Sequence, residues 1–233
     1  MSEILGTAGN DELVGGQGGD SLFGLEGDDT IFGQEGDDFI FGNQGLDFIG
    51  GSEGNDIIFG GKGDDFLGDI GGGDDQFFGN LDNDLLNGGE GNDQLFGGQG
   101  DDRVFGSGGN DLVSGDKGDD ILIGVDLENI TNPGLGEIDT LVGGEGSDLF
   151  TLGFDSPSYY VGSGNSDFGL ITDFNVAEDL IFVSITDNLT VSDLDLAEFG
   201  SGAGIFSQNG DLIGLVQGVA ANQLSFDLNI IRA

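Results

Sequence analysis

The chain has 233 residues, of which 50 are Gly, 45 are Asp or Glu and only 4 are Lys or Arg, giving a formal charge of −41. Nucleic acids and anionic membrane surfaces are bound through clustered Lys and Arg, so the scattered Lys62, Arg103, Lys117 and Arg232 argue against both as partners. The lack of His and Cys removes disulfides, thiolate chemistry and the usual zinc ligands.

Charge and glycine alone would describe a disordered acidic chain, because carboxylates repel and glycine loses the most backbone entropy on ordering. Yet 36% of the residues are apolar and 19 are Phe. Something must neutralise the carboxylates so that the apolar residues can pack, and a divalent cation is the simplest candidate.

The N-terminus, Met1-Ser2-Glu3-Ile4-Leu5-Gly6, has no basic region and no apolar run, which predicts no cleavable signal peptide. No stretch reaches transmembrane length. A repeat starts within five residues of Met1, as expected of a complete gene product.

That repeat has a period of nine. Aspartates fall at Asp11, Asp20, Asp29, Asp38, Asp47, Asp56 and Asp65. One extra residue near Asp69 shifts the frame, and the series resumes at Asp75, Asp84, Asp93, Asp102, Asp111 and Asp120. Two residues before each Asp lies Gly, with Asp82 the exception. Two residues after each lies an apolar residue: Leu13, Leu22, Ile31, Ile40, Ile49, Ile58, Leu67, Phe77, Leu86, Leu95, Val104, Val113 and Leu122. The unit is G-G-x-G-x-D-x-U-x, with U apolar, and Gly88 to Phe96 fits it without deviation.

Six Gly- and Asx-rich residues predict a turn, since Gly supplies positive φ and lets carbonyls converge. Three residues remain for a short strand whose alternation points U inward. Two units then make one coil, and successive coils stack as parallel strands around a thin core of U residues. The turns stack in two columns that bring aspartates together. Bare stacked carboxylates repel, whereas Ca²⁺ takes six to eight oxygens from carboxylates and carbonyls. A metal-free helix of Asx-turns is the alternative, but Asn or Ser would cap such turns without the charge.

The residue after U is Phe23, Phe41, Phe59, Phe78 and Phe96 in alternate units. These predict an outward aromatic ladder on one face. On the other face the same position is mixed: Val14, Phe32, Gly50, Gly68, Asn87 and Phe105. The ladder has two readings, stacking that stabilises the sheet or a surface for self-association or a cell-surface partner.

A degenerate unit follows at 124–132. The repeat restarts at Pro133 to Leu141, with Asp139, and Gly143 to Thr151, with Asp148, is the last nonapeptide. Residues 168–233 read as five or six short strands, expected of a cap over the open end of a solenoid.

These units resemble the RTX, or hemolysin-type, calcium-binding repeat over residues 6–151. The segments Leu170-Ile171-Thr172-Asp173-Phe174, Glu178-Asp179-Leu180-Ile181-Phe182 and Asp211 to Val219 resemble the cap that follows such arrays in cyanobacterial members. The resemblance implies an all-β, right-handed parallel β-roll with two nonapeptides per coil and a small all-β C-terminal cap. The expected division is 1–151 for the roll, with an insertion at 124–133, and 152–233 for a cap with a type I secretion signal.

It also implies Ca²⁺ as the cofactor, roughly ten ions held between turns 18 residues apart. Asp20 pairs with Asp38, Asp29 with Asp47 and Asp38 with Asp56, up to eleven pairs, with Asp139 and Asp148 extending the columns. Flanking carbonyls come from Gly15, Gly18, Gly24, Gly27, Gly33, Gly36, Gly88, Gly91, Gly97 and Gly100. The expected function is a secreted, extracellular calcium-binding protein that folds on binding the metal, has a structural or interaction role, and is not an enzyme. The alternative is the non-catalytic or carrier part of a larger RTX exoprotein of the hydrolase or toxin class.

Overall fold

The computed structural model describes residues 1–69, 71–125, 136–153, 167–183, 188–225 and 229–232. Among them the chain forms two sheets, of twelve and ten strands, and a single turn of 3-10 helix at Ala221–Gln223. Consecutive strands of the repeat alternate between the sheets, so each sheet pairs strands one whole coil apart, in parallel. Ser21–Glu26, Phe39–Gln44 and Ile57–Lys62 are successive strands of the longer sheet. Thr30–Glu35 and Phe48–Glu53 lie across from them in the shorter one.

Most strands have six residues where three were expected. The Gly-rich half of the unit stays in the ladder: Leu25 and Glu26 pair with Asn43 and Gln44, and the Gly27 N–H donates to the Gln44 carbonyl at 2.9 Å. Backbone amides away from water need partners, and the identical turn one coil on supplies them, so pairing runs into the turn.

Register follows the repeat. Leu22 pairs with Ile40 and Ile40 with Ile58, each 18 residues apart. Ile58 pairs with Phe77 and Leu67 with Leu86, 19 apart, so the extra residue near Asp69 is absorbed in one coil. Val113 pairs with Leu141 and Leu122 with Phe150, 28 apart, so both sheets cross the insertion without losing register. Most of the degenerate unit at 124–132, together with Pro133 to Leu135, lies outside the described residues.

Twelve of the thirteen U residues are fully buried, and the terminal one, Leu13, is 8% exposed. They form one cluster that continues through Leu141, Phe150, Phe174 and Ile205 to Ile230. Six strands are described in 168–232. Phe168–Ile171 and Leu180–Val183 extend the two sheets in parallel. Leu212–Gln217 follows in the longer sheet, and the antiparallel strands Gly200–Phe206 and Thr190–Leu196 end it. The terminal strand carries Asp193 and Asp195, and charge on an edge discourages further pairing.

The five-Phe ladder forms on the longer sheet. Neighbouring rings lie 4.8–5.2 Å apart and 4–10° from parallel. The mixed face carries a second aromatic group that the residue after U does not reveal. Phe48 stacks on Phe66 at 4.7 Å, and Phe32 meets the edge of Phe48 at 5.9 Å. The residue before U also points outward, and Gly50 and Gly68 leave room: a Cβ on either would press on the ring of Phe32 or Phe66.

Ile58 is fully buried at mid-array. Ile58→Ala should cost the calcium-loaded protein about 2–5 kcal/mol, read by denaturant unfolding in excess Ca²⁺. Glu12→Gln, at an exposed position, should stay within about 0.5 kcal/mol.

Candidate metal centre

Each turn closes on its aspartate. Among the described residues eight non-glycines hold left-handed φ; Leu25 at 85°, Gln34 at 84° and Asn43 at 80° do so at the same turn position. Asp82 holds 75° where other units have Gly, so the turn it interrupts keeps its shape.

The Asp Oδ1 accepts the backbone N–H of the aspartate one coil earlier. Asp29 N–H donates to Asp47 at 2.8 Å, Asp47 to Asp65 at 2.8 Å and Asp20 to Asp38 at 2.6 Å. The contact persists across the bulge, Asp56 to Asp75 and Asp65 to Asp84. It also persists across the insertion, Asp111 to Asp139 and Asp120 to Asp148. Two columns result, and Leu46 beside Asp47 does not break its column. The Asp carbonyl is also taken, as where Phe48 N–H donates to Asp29 O at 2.8 Å.

Only Oδ2 remains. Among the described residues it is buried without a hydrogen-bond partner in twelve aspartates of the columns: Asp29, Asp38, Asp47, Asp56, Asp65, Asp75, Asp84, Asp93, Asp102, Asp111, Asp120 and Asp148. The exceptions lie at the ends. Asp11 Oδ2 accepts Thr7 N–H at 2.5 Å, Asp20 Oδ2 accepts Gly16 N–H at 3.0 Å, and Asp179 Oδ2 accepts Asn175 N–H at 2.7 Å. The metal-free Asx-turn is thus real at these three turns, and Asp69 at the bulge makes another with Gly71 and Gly72.

Eleven of the twelve orphaned oxygens lie against the first Gly of their own unit, where a Cβ would crowd them; Asp75, after the bulge, is the exception. A Cβ on Gly60 would stand 2.6 Å from Asp65 Oδ2 and 3.0 Å from the Gly79 carbonyl of the next coil. Gly24, Gly33, Gly88 and Gly97 repeat this with their own aspartates. Gly15 meets the Gly33 carbonyl in the same way, although its Asp20 is already capped. Gly18, Gly27, Gly36, Gly91 and Gly100 all hold left-handed φ. Among them, Gly27 and Gly36 sit so tightly over the preceding coil that any Cβ would meet its backbone.

The described residues hold no group of three or more Asp or Glu side chains close enough to ligate one ion. An ion held here would meet carboxylates singly or in pairs, and carbonyls would have to supply the rest. Buried carboxylate oxygen with converging carbonyls is a hard-oxygen donor set and fits Ca²⁺.

Burial governs the acidity of these aspartates. Desolvation lifts Asp47 and Asp102 to about 6, Asp56, Asp65, Asp93, Asp120 and Asp148 to about 7, and Asp75 and Asp84 to about 8. The backbone N–H on Oδ1 opposes the rise, and neighbouring carboxylates add to it. Asp111 reaches about 9, through burial first and then the charge of Asp139. Asp20, capped by the backbone of Ser2 and Gly16, is instead held below the usual range.

Sequence reasoning missed three carboxylates. Asp69, at the bulge, accepts Ser52, Gly71 and Gly72 N–H. Asp173 takes Gly143 and Gly144 N–H at 2.9 Å each, and Asp179 accepts Asp148 N–H at 3.1 Å, so the cap motifs finish a column. A second ladder, at the residue before each Asp, was also missed. Asp37 accepts Asn55 N–H, Asn55 accepts Asp74 and Asp74 accepts Asn92. Its sequence signal is the run of Asn and Asp at that place.

The family model for the RTX calcium-binding nonapeptide repeat matches residues 5–40, 32–67, 69–104, 96–125 and 133–166, well over half of the chain. The chain belongs to the RTX calcium-binding repeat family. Its nonapeptides are therefore calcium-binding repeats, and its stacked parallel coils are an RTX β-roll. Among solved structures, it is similar to the AlgE6R3 subunit from the Azotobacter vinelandii mannuronan C5-epimerase. The identity is 28% over 66% of this chain and 80% of that one, with a TM-score of 0.28. No curated protein matches.

The raised pKa values give a pH dependence. In the folded, metal-free roll the column aspartates bind protons more tightly than in the unfolded chain. Deprotonation therefore destabilises the roll fully above the folded values, and the penalty is relieved as pH falls toward about 4. In chelator, β-structure measured by circular dichroism should increase as pH is lowered from about 8 to about 5. Calcium affinity should fall over the same interval, because protons compete for Oδ2.

Proposed function

We propose that this RTX protein is a calcium-gated scaffold, unfolded where Ca²⁺ is scarce and folded where it is plentiful. The observation that carries the proposal is the set of twelve orphaned, buried Oδ2 atoms. An unsatisfied buried polar group costs about 1–3 kcal/mol, more when charged. Twelve of them exceed the roughly 5–15 kcal/mol by which a domain is stable. Ca²⁺ removes that cost, and its binding free energy becomes folding free energy.

The ligands are the Oδ2 atoms of the interior columns, Asp29 through Asp120 and Asp148, with carbonyls of the first-position glycines such as Gly24, Gly33 and Gly97. Roughly ten ions would cancel about half of the net charge. Extracellular calcium modules bind at about 10⁻⁴–10⁻³ M, so the folded state belongs outside the cell, reached by type I secretion as in the family. The division at 151/152 fits a roll followed by a cap. Residues 168–232 extend both sheets and end one of them in an antiparallel hairpin, which protects the last coil. The role is structural or interactive rather than catalytic. Stacked, half-buried rings favour the Phe ladder as a stabilising element, at about 0.5–1.5 kcal/mol per pair. The runner-up is a non-catalytic part of a larger RTX exoprotein.

A calcium titration followed by circular dichroism and sedimentation tests this. The chain should be expanded and unstructured in chelator and compact with β signal at millimolar Ca²⁺. An unchanged β spectrum in excess chelator near pH 8 would refute it. Asp65→Asn, mid-column, should raise the calcium midpoint several-fold, whereas Asp11→Asn, at an already capped turn, should leave it nearly unchanged.

A further inference from the structure

The Phe ladder stops abruptly. Phe96 pairs in register with Ser114, and Ser114 with Val142. The ring present on five successive coils is missing at the sixth, and aliphatic side chain returns at the seventh. A hollow of about 480 Å³ opens there, walled by Phe96 and Val142 and rimmed by Gln99, Asp116, Lys117 and Glu145. Phe96 and Val142 stand two strand spacings apart, roughly 9–10 Å. That is twice the 4.8–5.2 Å spacing of rings in the ladder, the room for one more ring. Ser114, at the floor, is 5% exposed, and its hydroxyl donates to Asp116 Oδ1 at 2.7 Å, leaving Asp116 Oδ2 toward solvent.

We propose that this hollow binds a small planar aromatic molecule carrying a positive charge. The ring completes the ladder, stacking on Phe96 as Phe78 does from the other side at 5.2 Å. The charge follows from the rim: Lys117 and Glu145 pair with each other at 3.7 Å, which leaves Asp116 as the uncompensated charge among the described rim residues. The formal −41 of the whole chain disfavours anionic ligands. Size agrees as well, since small-molecule sites occupy roughly 300–1,000 Å³. The site needs only a folded roll and is independent of which ions fill the turns.

The chain has no Trp, so the fluorescence anisotropy of tryptamine reports its binding to the calcium-loaded protein directly. Saturable binding below about 10 mM is expected. Indole-3-acetate, with the same ring and opposite charge, should bind at least about tenfold more weakly. Cyclohexylethylamine, with the charge but no aromatic ring, should fail to compete. Ser114→Phe fills the hollow with the ladder's own ring and should abolish binding while keeping the β spectrum. Phe96→Leu removes the stacking wall and should weaken binding about tenfold, and it decides the matter if Ser114→Phe does not fold. Lack of saturation, equal competition by cyclohexylethylamine, or undiminished binding in a folded variant would overturn the proposal.

Discussion

One carboxylate oxygen per turn controls this protein. The roll buries the Asp Oδ2 of each interior unit and offers it no donor, while Oδ1 and the Asp backbone are fully used by the neighbouring coils. Everything else about the turn follows from keeping that oxygen where it is. In eleven of the twelve orphaned units the first residue is a Gly whose Cβ would press on the Asp Oδ2. The turn's fourth residue is Gly in most units because it sits tightly on the coil before it. The high glycine content is therefore largely a steric requirement, and it costs backbone entropy on folding.

The same geometry separates interior from ends. Toward the ends of the array the aspartate turns Oδ2 onto its own backbone, as Asp11 does with Thr7 and Asp179 with Asn175. Such a turn is electrically settled without metal. The interior turns are not, and their raised pKa values express the same cost in another form. A proton relieves it, and a calcium ion bound at the same oxygens would do so too, so acid and calcium would compete for one set of atoms.

Much of this was legible in the sequence. The nine-residue period placed the core residues from Leu13 to Leu122, the 18-residue register, the shift near Asp69 and the Phe ladder, because each depends only on alternation along a strand and identity between coils. Strand length was not legible. It depends on whether the neighbouring turn can accept hydrogen bonds, which residues 24–27 reveal only once Gln44 stands opposite them. The Phe32, Phe48 and Phe66 group was hidden because its rings come from two positions in the unit and need Gly50 and Gly68 for room. Asp173 and Asp179 lie outside the nonapeptide pattern, at separations of about 30 residues, and only the fold returns them to the column. Which aspartates are orphaned and which are self-capped was also invisible, since Asp20 and Asp38 have the same local sequence class but different neighbours.

The most direct test is to locate calcium in crystals of the folded protein by its anomalous scattering. Strong peaks should lie beside the Oδ2 atoms of the interior aspartates from Asp29 to Asp120, in two rows along the edges of the roll, and be weak or missing at the Asp11 turn. A well-ordered roll whose interior turns carry no anomalous density, in crystals grown in millimolar calcium, would contradict the account.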